Sequence, residues 1–253
     1  KSKFLVNKKK SIPLHQIKEI SFDQVEIVTR KSRKVISINQ IKQLPKKLKK
    51  KINADIKKIK SKKSNFSNFN FKKIPNILGV LNLTPDSFSD GGKFNKNRKS
   101  LKHIKEMILS GADIIDVGGE STRPGSKIVS QQIELLRVKK IIKKFKKVYP
   151  KTLLSIDSRK SLVLNYSIKH NVDIINDVSC FQFDPKSFST IKNKNLWKII
   201  HHMQGTPQTM QINPKYKHVL LDIYDFFERE IEKFKQQKFG KKIILDPGIG
   251  FGK

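Results

Sequence analysis

The sequence predicts an α/β protein built on a parallel sheet, and two observations carry that expectation. From residue 74 onward, short apolar runs alternate with longer amphipathic stretches. No hairpin signal separates one apolar run from the next. Strands joined only through helical stretches pair in parallel by way of crossovers. Six strands are countable, which leaves two architectures open: an open doubly wound sheet, or a (β/α)8 barrel carried as far as its sixth strand.

The elements follow in order. A strand at 77–83 precedes a helical pattern at 97–110, and a strand at 114–117 precedes one at 131–147. Strands at 153–156 and 173–176 flank a helix at 160–170. A short helix near 185–192 leads to a strand at 196–201, and a long helix at 215–237 leads to the last strand, 243–245.

Residues 1–73 read differently. They carry 23 Lys+Arg against 4 acids, a net +19, and form a Lys-rich extension before the barrel-like part at 74–253. Val25-Glu26-Ile27-Val28 and Val35-Ile36-Ser37-Ile38 alternate as a pair of strands would. Leu48, Ile52, Ile56 and Ile59 recur at helical spacing. The stretch from Ser64 to Phe71 reads as a linker or docking segment. Nothing in this part carries recognisable chemistry.

Composition excludes several classes. The whole chain holds 55 Lys+Arg and 21 Asp+Glu, a formal +34, and only seven of the basic residues are Arg. Such a charge favours anionic partners, yet Lys, Asn, Ile and Phe are abundant throughout, and no nucleic-acid-binding signature stands out. Composition bias is the better account, and no dedicated nucleic-acid or membrane partner is expected. A single cysteine, Cys180, excludes an internal disulfide framework and suits a reducing compartment; it reads as a small buried hydrophobe. No apolar run approaches the roughly 18 residues of a membrane span, so a cytoplasmic location is expected.

Ligands of both candidate architectures sit at the carboxyl ends of the strands. Here those ends offer Asn82, Asp116, Asp157, Asn176 with Asp177, His201 with His202, and Asp246. One Asp or Asn after a strand is ordinarily a turn former or helix cap. Six strands that each deliver a carboxylate, an amide or an imidazole to one rim argue for a polar site. Buried Asp and Asn need partners, and a heteroaromatic ring with amino, ring N–H and carbonyl groups fits Asp157, Asn176 and Asp246. Gly91-Gly92 and Gly118-Gly119 allow close backbone approach. Arg123 is a candidate anion fork, and Asn82 offers a hard oxygen to a magnesium ion shared with phosphates. His201 and His202, adjacent on a strand, point to opposite faces and do not make a zinc site.

Taken together and in order, these motifs resemble the dihydropteroate synthase family, the folate-pathway enzymes targeted by sulfonamides. The match is carried by Leu81-Asn82-Leu83-Thr84-Pro85-Asp86-Ser87-Phe88-Ser89-Asp90-Gly91-Gly92, by the run from Gly111 through Asp116-Val117-Gly118-Gly119-Glu120-Ser121-Thr122-Arg123-Pro124-Gly125, and by Ser155-Ile156-Asp157-Ser158. Ile175-Asn176-Asp177, His202-Met203-Gln204-Gly205 and the run from Asp246 to Lys253 complete it. The resemblance implies a (β/α)8 TIM barrel, with about six βα units in this chain. It also implies condensation of 6-hydroxymethyl-7,8-dihydropterin pyrophosphate with p-aminobenzoate, giving 7,8-dihydropteroate and pyrophosphate. By position, Asp157, Asn176 and Asp246 match the family's pterin-binding set, with Met203 and Phe251 as pocket wall. Asn82 matches its Mg2+ ligand. Phe88 and Asp90 fall on its first mobile loop and Thr122, Arg123 and Pro124 on its second, with Asp90 and Arg123 in catalytic roles.

The family continues with a Ser-Arg-Lys motif and an Arg-x-His motif, and this sequence ends before either. The expectation is a partial sequence: an inactive fragment of an active and homodimeric parent. The alternatives are another pterin-binding barrel, such as a methyltetrahydrofolate methyltransferase, and a non-catalytic basic binding protein.

Overall fold

The computed structural model describes residues 1–62, 75–84, 93–123, 126–192, 194–237 and 242–253, the side chains of 93–97 excepted. The chain divides into two compact units, Lys1–Ile74 and Pro75–Lys253.

In the first unit, α1 (Ser2–Asn7) precedes a hairpin of β1 (Ile12–Leu14) and β2 (Ile17–Phe22), which pair antiparallel with a register shift at Pro13/Leu14. A second hairpin joins β3 (Gln24–Val28) to β4 (Arg33–Ser37), pairing the two alternating stretches. Thr29 Oγ1 holds its turn by accepting from the backbone N–H groups of Lys31 and Ser32. Ser37 and Gln40 form a capping box on the 3-10 helix Ile38–Gln43. The helix α2 (Lys46–Lys60) then begins after Pro45. Among the described residues of this unit, Ile36 and Ile41 are the buried hydrophobics, so its core is thin. The first hairpin escaped the sequence reading for a clear reason. Its turn is His15-Gln16, with φ of 49° and 67°, a left-handed pair without the Gly or Asn that normally announces one.

The second unit holds β5 (Leu78–Asn82), β6 (Ile114–Gly118), β7 (Leu153–Asp157), β8 (Ile174–Asp177), β9 (Trp197–His201) and β10 (Ile243–Asp246) in one parallel sheet. Between them run α3 (Lys93–Leu109), α4 (Gln131–Val148), α5 (Ser161–Lys169), α6 (Pro185–Ile191) and α7 (Val219–Gln236). Strand order equals chain order, β5 to β10, without reversal. A doubly wound sheet needs a reversal point; a singly wound one curls into a barrel. This is the six-strand arc of a (β/α)8 barrel, with β5 and β10 at its edges.

One face of each strand packs on the helices. Leu81, Ile115, Val117, Leu154, Ile156, Ile175 and Ile200 meet Ile104, Val138, Ile141, Ile142, Phe145, Val163, Leu164, Ile191, Phe227 and Phe234 in one apolar core. Strands β6 and β7 lie deepest. Two acids tie the amino ends of neighbouring strands together: Asp113 accepts from the N–H of Ile77, and Asp173 from that of Leu154, each at 2.8 Å. Helix α3 starts a turn earlier than its pattern suggests, and α7 a turn later. The α7 start is fixed by Asp222, which accepts from the N–H groups of Lys217 and His218, while the His218 ring accepts from Leu221 N–H.

Candidate active site

The inner face of the arc follows from the register. Asn82 lies beside Gly118, Gly118 beside Asp157, and Asp157 beside Asn176. One residue pair lower, Asp116 lies beside Ser155. At the far side Asp246 lies beside His201. Side chains two apart on a strand share a face, so Asp116 and Gly118, or Ser155 and Asp157, look into the same space.

Curvature brings non-neighbouring strands together there. Asn176 Nδ2 on β8 donates to Asp116 Oδ2 on β6 at 3.0 Å, reaching across β7. The amide oxygen of Asn176, Oδ1, is buried with no partner among the described residues, and so is His201 Nε2. A Cβ placed on Gly118 would stand 3.3 Å from Asn82 Oδ1 and 3.6 Å from Asp157 Oδ2, so both oxygens border one gap. A neutral amide oxygen next to a carboxylate suits a hard cation that draws its remaining ligands from water and phosphate. Among the described residues no three His, Cys, Asp or Glu gather into a metal-holding group.

The electrostatics of this face are unusual. Burial drives the Asp157 carboxyl well above the ordinary carboxylate range, and Asp116, Glu134, Asp177 and Glu120 push it the same way. Burial also raises Asp116; Ser155 and Asn176 pull against it and Asp246 adds to it. Acids held this way share protons as a group, and together offer both O–H donors and oxygen acceptors. The nearby imidazoles are kept neutral. Burial lowers His201 despite the pull of Asp246, and lowers His202 to about 4.

Each histidine has its own setting. His201 meets Phe251 edge-on at 4.5 Å, walling the pocket. His202 packs edge-on against Phe226 at 4.8 Å, towards α7. Met203 follows, half-buried, and with His201, Cys180 and Arg159 lines a cavity of about 200 Å³. Asp246 Oδ1 accepts from Gly248 N–H at 2.8 Å. Gly248 has φ of +66°, and a Cβ there would strike His202 O and His201 Nε2, so this turn requires glycine. Burial pushes the Cys180 thiol up, which leaves it inert.

The rim beyond β6 is organised by charge. Glu120 is almost wholly buried and accepts from Lys160 Nζ at 2.8 Å, Arg159 Nε at 3.0 Å and Val129 N–H at 3.0 Å. Lys160 also donates to Glu134 at 2.7 Å. Burial opposes the charge on Glu120, but these partners outweigh it and hold its carboxyl below the usual range. Thr122 shares a small cleft with Glu120, Asp157, Ser158 and Arg159. Arg123 is exposed. The glycine pair has divided duties. Gly118 faces the inner gap, whereas a Cβ on Gly119 would stand 2.9 Å from Glu134 Cγ and Val138 Cγ1, so Gly119 serves packing on α4.

The structure therefore brings Asn82, Asp157, Asn176 and Asp246 to one face, with Thr122 beside Asp157 and Phe251 against His201, whereas Met203 lines the cavity beside His201 and Arg159. Phe88, Asp90 and Pro124 lie outside the described residues. Asp116, named among the strand ends, proves to be the partner of Asn176; the Glu120–Arg159–Lys160–Glu134 network was not anticipated from sequence.

An inner face lined with acids and amides offers hydrogen bonds of the kind a flat, donor-rich ring would take. Residues 78–253 match the family described as pterin binding enzyme. The chain belongs to that family. Among its relatives, dihydropteroate synthase of Escherichia coli (strain K12) is 42% identical over 180 residues, 71% of this chain and 63% of the relative. A pterin binding enzyme of known structure, dihydropteroate synthase from Yersinia pestis in a sulfonamide drug complex, superposes with a TM-score of 0.65 at 40% identity, covering 71% of this chain and 65% of that one. The Xanthomonas albilineans dihydropteroate synthase solved with 4-aminobenzoic acid gives 0.64 at 31% identity, covering 70% and 63%. The chain thus spans just under two thirds of the length of these relatives. Among the described residues no helix is long and apolar enough to cross a membrane.

Proposed function

We propose that the whole protein is a dihydropteroate synthase, joining 6-hydroxymethyl-7,8-dihydropterin pyrophosphate to p-aminobenzoate. The observation that carries this reading is the inner face itself: Asp157, Asn176 and Asp246, with Asp116 behind them, present acceptors and shared protons to a ring rich in N–H groups. The names of the relatives, synthases solved with a sulfonamide drug and with 4-aminobenzoic acid, support the substrate pair.

In this reading the pterin edge pairs with Asp157, Asn176 and Asp246 while Met203 and Phe251 pack its flat faces. The bond between the exocyclic methylene and the pyrophosphate oxygen breaks, with its electron pair leaving on oxygen. Asn82 would hold a magnesium ion, whose positive charge would stabilise the departing pyrophosphate. Arg123, exposed on the rim, supplies a second cationic group for the pyrophosphate. The family resemblance assigns Thr122, Pro124 and Phe88 to the arylamine site, and Asp90 to stabilising the cationic methylene. The nitrogen of p-aminobenzoate attacks that carbon and then loses one proton, so no enzyme nucleophile is required. Cys180 stays outside the chemistry. We place the reaction in the cytoplasm and expect the whole protein to act as a homodimer.

The 253-residue chain by itself should be inactive. Its edge strands leave Val80 and Leu245 exposed at 52% and 43%, and unpaired strand edges favour association over a closed site. Calorimetric titration of the full-length protein tests the function. Pterin pyrophosphate with magnesium should bind first, and p-aminobenzoate should bind only when pyrophosphate is present. Pterin binding with no arylamine response would transfer the assignment to a methyltransferase-like barrel, and binding of neither would remove it.

A further inference from the structure

Glu120 is held more tightly than capping a turn requires. It stands two residues before Thr122 and three before Arg123, at the point where β6 gives way to the rim. Its Oε1 accepts from the backbone N–H of Val129, the last residue before the Ser130 cap of α4. The two ends of this connection are therefore joined through one carboxylate. The same oxygen takes Lys160 Nζ, and Oε2 takes Arg159 Nε. Both cations directly follow Asp157-Ser158 at the carboxyl end of β7.

The cations are themselves immobilised. Lys160 is shared with Glu134 on α4, and the Arg159 guanidinium lies 3.8 Å from the Phe183 ring centroid. Arg137 donates to the Gly119 carbonyl at 2.7 Å. Ser126 Oγ donates to the Ser121 carbonyl at 2.6 Å, and the Ser126 carbonyl accepts from Gln208 beyond β9. Thr122 borders the same cleft as Glu120, Arg159 and Asp157.

We propose that Glu120, clasped between Arg159, Lys160 and the N–H of Val129, is a positioning residue that fixes Thr122 and Arg123 in register with Asp157, and so sets the arylamine and pyrophosphate subsites without touching either substrate. This rests on the synthase reading for those subsites. The clasp itself rests only on the contacts above. A buried carboxylate serving three donors loses several bonds together when it is altered, so its removal acts on everything it ties.

The test is Glu120→Gln in the full-length protein, read in two ways. Hydrogen exchange at the amides of Thr122, Arg123 and Val129 reports the clasp independently of chemistry. It should quicken about tenfold or more, with amides of β7 and β8 unchanged. Steady-state kinetics should show a rise of at least about tenfold in KM for p-aminobenzoate and a rise in KM for pterin pyrophosphate, with affinity for the pterin lacking its pyrophosphate within about twofold of wild type. A purely structural role would lower thermal stability and the active fraction and leave both constants alone. Glu120→Asp keeps the charge but shortens the arm, and serves if the first variant does not fold. It should move both readouts in the same direction by less. Wild-type exchange and wild-type KM in whichever variant folds would overturn the proposal. A wild-type protein without synthase activity but with faster exchange in the variant would overturn the functional reading and leave the clasp standing.

Discussion

The acid at the end of β8 offers the sharpest test of the electrostatics. Asp177 is fully buried; its Oδ1 accepts from the Ser179 N–H at 2.7 Å and the Ser179 hydroxyl at 2.6 Å, while Oδ2 has no partner among the described residues. Burial, partly offset by Ser179 and Arg159, lifts its pKa from 3.8 to about 7. The unfolded chain releases this proton near pH 4, whereas the native state keeps it until about pH 7. Over that window the native state binds more protons, so this group costs stability progressively as pH rises and the cost is constant above it. At about 1.4 kcal/mol per pKa unit, a shift of roughly three units sets a ceiling of about 4 kcal/mol. Asp177→Asn keeps an oxygen for Ser179 and removes the charge, but forfeits the attraction of Arg159. The expected gain at pH 8 is therefore about 1–3 kcal/mol, falling to nothing near pH 4. Urea unfolding between pH 4.5 and 8.5 measures it, followed by Trp197, the only tryptophan, on neighbouring β9. Midpoints of wild type and variant that run parallel across this range would refute the reasoning.

Three further outcomes are expected. Gly119→Ala should destabilise the barrel unit by about 1–3 kcal/mol, because its Cβ enters space held by Glu134 and Val138; denaturant titration reads it. Asp157→Asn in the full-length protein should weaken pterin binding by about ten- to a hundredfold through loss of a carboxyl oxygen and its shared proton, with p-aminobenzoate affinity for the pterin-loaded enzyme little changed by calorimetry. His202, buried and lowered to about 4, favours the native state above the unfolded value of 6.5. That contribution should be lost as pH falls from 6.5 towards 4, and an NMR titration should find its ring neutral at pH 6.

The barrel strands were legible because each is a short apolar run that carries an acid, an amide or an imidazole at or near its carboxyl end, and the parity of a strand places Asp157 and Asn176 on one inward face without further information. What the sequence leaves open is anything set by curvature. Asp116 and Asn176 are sixty residues apart on strands that do not touch, and only a curled sheet makes them partners. Lys160 shows a different limit. In a chain with 55 Lys+Arg it looks like one more solvated lysine, and only tertiary packing shows it enclosed between Glu120 and Glu134. The His15-Gln16 turn was hidden because its left-handed backbone is adopted by residues that do not advertise it.

The reversal-free strand order also fixes a timetable. A chain made from its amino end presents Asp116 before its donor Asn176 exists, and Asp157 and Asn176 before Asp246. Synthesis proceeds at about 5–20 residues per second, so for several seconds the acid of β6 faces water, where its charge is cheap. Its pKa rises only as later strands close over it. The polar face thus opposes premature collapse of the growing arc, and is enclosed only when the strands that complete it arrive.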